Sequence, residues 1–273
     1  MGNSKLDLPA KLRVRGNARV ALPEAAASRR CGWEESGARA ALARIVPELA
    51  ELQYRLYAEQ RHALLVVLQA IDGGGKDSTT RHVFAAFNPQ GCTVHAFKVP
   101  SQEELRHDYL WRVHAHVPPL GEIAVFNRSH YEDVLVPRVD RLVPRRVLAL
   151  RYRQINDFER MLVECGTRVV KVFLHLSRDE QRRRFEQRVR DRRKQWKFDP
   201  ADLAKRGQWA AYRAAFGEML GRCNTGHAPW YVVPADHKWL RDLAVAQVVL
   251  AELRALDPRF PRPRFRPAGV RLR

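Results

Sequence analysis

No apolar run in this chain approaches the 18 or so residues needed to span a bilayer; the longest is Ala63–Ile71. The first thirty residues are broken up by polar and charged groups, with none of the continuous apolar stretch of a secretory signal. Cysteine is scarce. Cys31, Cys92, Cys165 and Cys223 are scattered and form no CxxC, which disfavours a structural zinc site and a disulfide framework. These absences point to a reduced, cytoplasmic protein. Lysine is also scarce, contributing nine of the 49 basic residues, and acids number only 30, so the net charge is +19. The arginine excess has two readings: a GC-rich genome writing Arg on ordinary surfaces, or a polyanionic partner whose phosphate oxygens match guanidinium forks. Composition alone does not choose between them. At 45% hydrophobic the 273 residues can build a real core, as one large α/β domain or two small ones.

Residues 1–37 read as an irregular N-terminal segment. From Ala38 to His62, Leu42, Ile45, Val46, Leu49, Leu52 and Leu56 recur at helical spacing despite Pro47. Short apolar runs at Ala63–Asp72, Thr93–Val99, Glu122–Asn127, Arg168–Leu176 and Pro229–Val233 suit buried strands. Helical patterns lie between them, at about 77–87, 101–117, 145–165, 177–194, 201–222 and 238–256. This alternation predicts an α/β fold with a parallel, doubly wound sheet of about five strands over residues 38–257. Residues 258–273, with six Arg, four Pro and no acid, read as a basic tail.

Between the first strand and the next helix stands Asp72-Gly73-Gly74-Gly75-Lys76-Asp77-Ser78. Open α/β sheets place ligands at the carboxyl ends of their strands. Glycines there let backbone N–H groups close on a phosphate, the following helix N-terminus favours an anion, and Lys76 adds a mobile charge. The strict G-x-x-x-x-G-K-[ST] pattern is missed twice: Ala70 occupies the first glycine position and Asp77 the hydroxyl position. Asp72 would repel a phosphate unless it holds a metal or handles a proton. The strand Ile123–Phe126 likewise runs into a polar tip, Asn127 to Asp133. This layout would deliver a carboxylate to Mg2+, but Asn127 stands at the expected aspartate, leaving Glu132 and Asp133 as replacements and Arg128 beside them. Residues 177–206 carry twelve Lys+Arg against six Asp+Glu. Arg184, Arg188 and Arg192 recur every four residues, as on one face of an arginine-rich helical lid, with Trp196-Lys197-Phe198 as its hinge. His114 and His116 lack a third ligand at plausible spacing and read as ordinary helix residues.

The segments "LQAIDGGGKDSTTRHVF", "FNPQGCTVHAFKVPSQEELRHDYLWRVH", "GEIAVFNRSHYEDVLVPRV", "FERML", "KVFLHLSRDEQRRRF", "WKFDPADL" and "APWYVVPADHKW" cover about residues 40–260. In that order they resemble the polyphosphate kinase 2 family. The resemblance implies a P-loop kinase fold of thymidylate-kinase type, an arginine-bearing lid, Mg2+ (or Mn2+), and assembly into homodimers or homotetramers. It also implies reversible phosphoryl transfer between inorganic polyphosphate and a nucleotide: AMP, ADP or ATP, with guanine nucleotides as further candidates, and no specific nucleic acid or membrane partner. Carried over by position, Asp72 and Lys76 match the loop carboxylate and lysine, Arg128 the arginine after the second-strand acidic position, and Arg188 a lid arginine. Asn127 departs from the commoner Asp, and "FNRSHYED" resembles the subgroup that accepts nucleoside mono- and diphosphates. The triple glycine and Ser78 depart from the commoner Ala/Gly-Gly-Lys-Asp-Gly loop.

The catalytic candidates are therefore Asp72, Lys76, Arg128, Glu132 and Asp133, with Asp72 and Asp133 as Mg2+ ligands. Gly73, Gly74, Gly75, Asp77, Ser78, Asn127, Arg184 and Arg188 form the phosphate- and nucleotide-binding set. Two other readings stay open: an ATP-dependent P-loop nucleotide or small-molecule kinase, and a non-catalytic polyanion-binding protein.

Overall fold

Five apolar segments form one all-parallel sheet in the order β2-β3-β1-β4-β5. They are β1 (Ala63–Gln69), β2 (Cys92–Ala96), β3 (Ile123–Asn127), β4 (Thr167–His175) and β5 (Trp230–Pro234). The computed structural model describes residues 7–265. Parallel strands need crossovers, and twelve helices accompany them here: α1 (Leu8–Leu12), α2 (Glu24–Ala27), α3 (Glu35–Glu59), α4 (Lys76–Val83), α5 (Gln102–Leu105), α6 (Trp111–His114), α7 (Glu132–Val139), α8 (Arg145–Glu164), α9 (Arg178–Arg190), α10 (Ala201–Gly207), α11 (Trp209–Arg222) and α12 (Lys238–Leu256).

β1 is central and buried along its whole length because helices cover both faces. With a side-chain period of two, Leu64, Val66 and Leu68 join α3, α4 and α12 in one core, while Leu65 and Val67 join α7, α8 and α11 in the other. Opposite Leu68 in the register lies Asn127, so the loop after β1 and the tip of β3 emerge side by side. That alignment builds the site.

Several expected elements differ in extent. The long first helix begins at Glu35 and stops at Glu59, where Gln60 takes left-handed backbone (φ 56°) and donates its N–H to Leu56. The helix expected over 101–117 is two single turns. The first is closed by a capping box between Ser101 and Glu104, and the second restarts where the Asp108 carboxylate accepts from the N–H groups of Leu110 and Trp111. The 201–222 helix breaks at Gln208, whose side chain donates to Asp140. The 177–194 helix ends at Arg190, which leaves Arg192 off the arginine row.

Residues 7–34 form a strap over the molecule. Its two helices, five and four residues long, are too short to show a period in sequence. Leu8 is fully buried, and Arg13 makes an antiparallel bridge to Tyr231 on the edge strand β5. The strap then crosses α11, where Val20 N–H donates to Gly217, and reaches the base of α9. At the other end, Phe260 packs edge-on against Tyr54 of α3, and the tail beyond residue 265 lies outside the described residues.

Candidate active site

β1 delivers the chain at Gln69 into a tight loop, and α4 starts at Lys76. Gly75 sits at φ 98°, and a Cβ there would fall 2.0 Å from Arg241 Nη1, so both conformation and space require glycine. Arg241 itself is fully buried and doubly bonded to Asp242, which also pairs with His82 of α4 and accepts from Thr79. This network locks α4 to α12 behind the loop. Arg241 Nη1 has no partner and points at the loop from behind.

Lys76 is buried and folds back so that Nζ donates to the Ala70 carbonyl at 3.0 Å. Burial, reinforced by the Arg128 charge, brings its pKa down to about 8. Ser78 Oγ donates to Gly75 O, turning inward to tie the loop. Asp72 is clasped: Arg128 binds one carboxylate oxygen, Lys205 of α10 reaches the other at 3.3 Å, and Gln181 of α9 donates to its carbonyl at 2.7 Å. Burial pushes this carboxyl up, but Lys76, Arg128 and Lys205 together overcome it and bring it down to about 2.

The polar tip of β3 divides. Asn127 donates to Asp77, and Arg128, in left-handed backbone (φ 64°), carries its guanidinium to Asp72. For a residue with a Cβ that conformation costs roughly 1–2 kcal/mol, offset here by the Arg128 N–H bond to Leu68 O and the ion pair. Gln69 donates to Glu132 at 3.1 Å while accepting from Ser129, which holds Glu132 near Lys76 and Arg128. His130 and Tyr131 turn the other way, into the core, and both bond Glu159.

Asp133 does not join Asp72. The charges bearing on it are Arg151, Arg112 and Glu132, and burial raises its pKa to about 6. The two expected Mg2+ ligands thus meet different charges: the register that puts β3 beside β1 brings Arg128 against Asp72, while Asp133 lies among Arg151, Arg112 and Glu132. Among the described residues no three His, Cys, Asp or Glu side chains form a cage for a metal ion. Arg184 also departs from expectation. It is buried, and its guanidinium is spent on Glu180 and on the carbonyls of Gly73, Ala235 and Asp236. It props the loop rather than facing a ligand. Arg188 does face the crevice, 3.7 Å from Asp202 and over the Phe185 ring. At the expected hinge Phe198 packs edge-on against Phe185, whereas Trp196 is exposed.

Four residues of the site went unnoticed in sequence: Gln181, Lys205, Asp202 and Arg241. Asp202 and Lys205, at i, i+3 on α10, lie one turn apart and reach the same carboxylate cluster, a spacing visible in "PADLAKR". Asp72, Arg128, Glu132, Lys205 and Tyr212 line a gap of about 30 Å3, enough to admit a water molecule. The arrangement presents Lys76, Arg128 and Lys205 around the Asp72 carboxylate at a strand-loop-helix junction, with Arg188 paired to the neighbouring Asp202. Such a set can take phosphate groups in exchange for its internal ion pairs.

A family model for polyphosphate kinase 2 matches residues 33–261. The chain is 49% identical over 223 residues to the AMP/ADP-polyphosphate phosphotransferase of Meiothermus ruber, covering 82% of this chain and 84% of that protein. It is 45% identical over 228 residues to the ADP-polyphosphate phosphotransferase of Rhodopseudomonas palustris, covering 79% of each. The crystal structure of polyphosphate kinase 2 from Arthrobacter aurescens superposes with a TM-score of 0.91 at 39% identity, covering 96% of this chain and 94% of that one.

Proposed function

The chain belongs to the polyphosphate kinase 2 family, and from that premise we propose that it moves the terminal phosphoryl group of inorganic polyphosphate to ADP and to AMP, reversibly. The observation that carries this reading is the Asp72 carboxylate held by Arg128 and Lys205 beside the buried Lys76. These are cations gathered where a phosphate chain would lie. The relative named for both AMP and ADP supports the choice of acceptors.

An oxygen of the acceptor phosphate attacks the terminal phosphorus, and the bond from that phosphorus to the bridging oxygen breaks. A chain one phosphate shorter departs with the electron pair. Near neutral pH the acceptor is already ionised, so no base has to take a proton, and positioning and charge neutralisation dominate. Lys76 and Arg128 hold the transferring group, Arg188 and Lys205 close from the lid, and Glu132 restrains Arg128. Asp72, ionised above about pH 2, would hold Mg2+ (or Mn2+) as its protein carboxylate. The ion would supply further neutralisation of the phosphates. We place the enzyme in the cytoplasm as a dimer or tetramer; no described helix is long and apolar enough to cross a membrane.

Incubation of the purified protein with polyphosphate, Mg2+ and AMP or ADP tests the reading. Formation of ADP or ATP is expected. No product with either acceptor overturns it, and polyphosphate-independent transfer from ATP to a hydroxyl compound would favour an ordinary P-loop kinase.

A further inference from the structure

A groove of about 990 Å3 lies away from the crevice, between the α7–α8 turn and the second half of α11, with the strap along its rim. Five arginines line it against one glutamate. Glu218 already engages two of them, Arg138 and Arg222. The guanidinium groups of the other three, Arg19, Arg141 and Arg145, have no hydrogen-bond or ion-pair partner among the described residues. They come from three separate segments, the strap, the α7–α8 turn and α8, so no single helical repeat explains their meeting.

Two independent features point to an anion. The Tyr152 side chain is 3% exposed and lines the groove, with its hydroxyl beside the Arg138 guanidinium and no acceptor for its proton among the described residues. The twenty-residue α8 opens at the same place with Pro144 as its N-cap, which offers no side-chain acceptor to the first free N–H groups. A buried donor without an acceptor is costly, and the charges nearest this one are Arg138 and Arg222.

Close packing holds the rim in place. A Cβ at Gly221 would fall 2.2 Å from the Ala18 carbonyl, so the glycine lets the strap lie directly on α11 and sets Arg19 over the groove. The groove is separate from the crevice: α7 begins at Glu132 beside Arg128, and Arg138 follows six residues later, about 9 Å along the helix axis.

We propose that this groove is a second oligophosphate-binding site, which grips a stretch of polyphosphate remote from the end being transferred. This rests on the polyphosphate reading above for the identity of its ligand. Cations spread over a long groove fit several linked phosphates better than a single one. A chain long enough to occupy both places gains effective concentration at the crevice, whereas tripolyphosphate reaches only one at a time.

The test is Arg19→Gln/Arg141→Gln/Arg145→Gln, with Tyr152→Phe as a milder variant that removes one hydroxyl. For the triple variant the KM for long-chain polyphosphate should rise about tenfold or more, with KM and kcat for tripolyphosphate unchanged within about twofold. Tyr152→Phe should weaken long-chain binding about twofold to tenfold. Calorimetric titration with long-chain polyphosphate reads the same loss without turnover. Unchanged long-chain binding overturns the proposal, as does an equal loss for tripolyphosphate. A fall in molecular mass by light scattering also overturns it, since the groove would then be an interface between copies. If the unmodified enzyme turns over no polyphosphate yet loses chain binding in the triple variant, the functional reading fails and the groove stands. If turnover is normal and binding is unaffected, the groove alone fails.

Discussion

Burial and the Arg128 guanidinium bring the Lys76 ammonium from the ordinary lysine range to about 8, so in the free enzyme its charge disappears as pH rises through 8. The kcat/KM profile should fall across that range, because it reports the free enzyme. The fall in kcat should lie at higher pH, where bound phosphate holds the proton, and Lys76→Arg should abolish the limb in kcat/KM. Lys76→Ala should lower kcat/KM on the order of tenfold to several hundredfold, the equivalent of one charge-assisted contact; undiminished turnover would remove Lys76 from the site. Asp133 offers a stability test of opposite sense. Its folded pKa, raised to about 6, lies above the unfolded value, so the folded state binds the extra proton between about pH 4 and 6. Carrying the charge above pH 6 costs stability. Asp133→Asn should raise the melting temperature at pH 7, by a free energy on the order of 1–3 kcal/mol, and the gain should vanish as pH falls below about 4. Thermal melts at the two pH values check it. Residue identity was legible where chemistry is local: three glycines and a lysine after an apolar strand need no tertiary knowledge. Arg184 was not, because helical spacing places it on a face but does not show that backbone carbonyls will consume its donors.

Among the elements, the lid is held at its roots by one side chain of the strap. Glu24 accepts from the Arg178 N–H at the start of α9 and from Trp209 Nε1 at the start of α11, with Arg213 beside it. Entry to and exit from the 178–208 segment, which carries Lys205, thus meet on a single carboxylate. Glu24→Gln should lower kcat about twofold to tenfold and speed tryptic cleavage at Arg192 and Arg193; equal cleavage rates would show that the strap does not restrain the lid. None of this was legible in residues 1–37, because the strap draws its order from contacts with α11, α12 and β5 rather than from a period of its own. The strands were legible because a sheet covered on both faces writes continuous apolar runs. The break at Arg190 was not, since no Gly or Pro marks it, whereas the break at Gln208 follows Gly207, a signal the helical pattern ran through.

At the scale of the molecule, the two cores differ in chemistry. Lys171 of β4 is fully buried and bonds Glu159, the Tyr131 hydroxyl and the Cys223 carbonyl. It joins α8, the β3–α7 turn and the end of α11 under the crevice. Lys171→Met leaves Glu159 charged with only His130 and Tyr131, and should cost about 3–5 kcal/mol in urea denaturation. Lys171→Met/Glu159→Leu should recover part of that loss, and a double variant as unstable as the single would show that packing rather than charge sets the penalty. The strand order carries a consequence for synthesis. β1 pairs with β3 and β4, never with the strand next made, so after "ALLVVLQ" is translated its last neighbour, Phe173, is about a hundred residues away. At about 5–20 residues per second that seven-residue apolar segment waits on the order of 5–20 s before its second edge is filled. Arrest of the ribosome between those strands would leave a nascent chain that depends on chaperones to stay unaggregated.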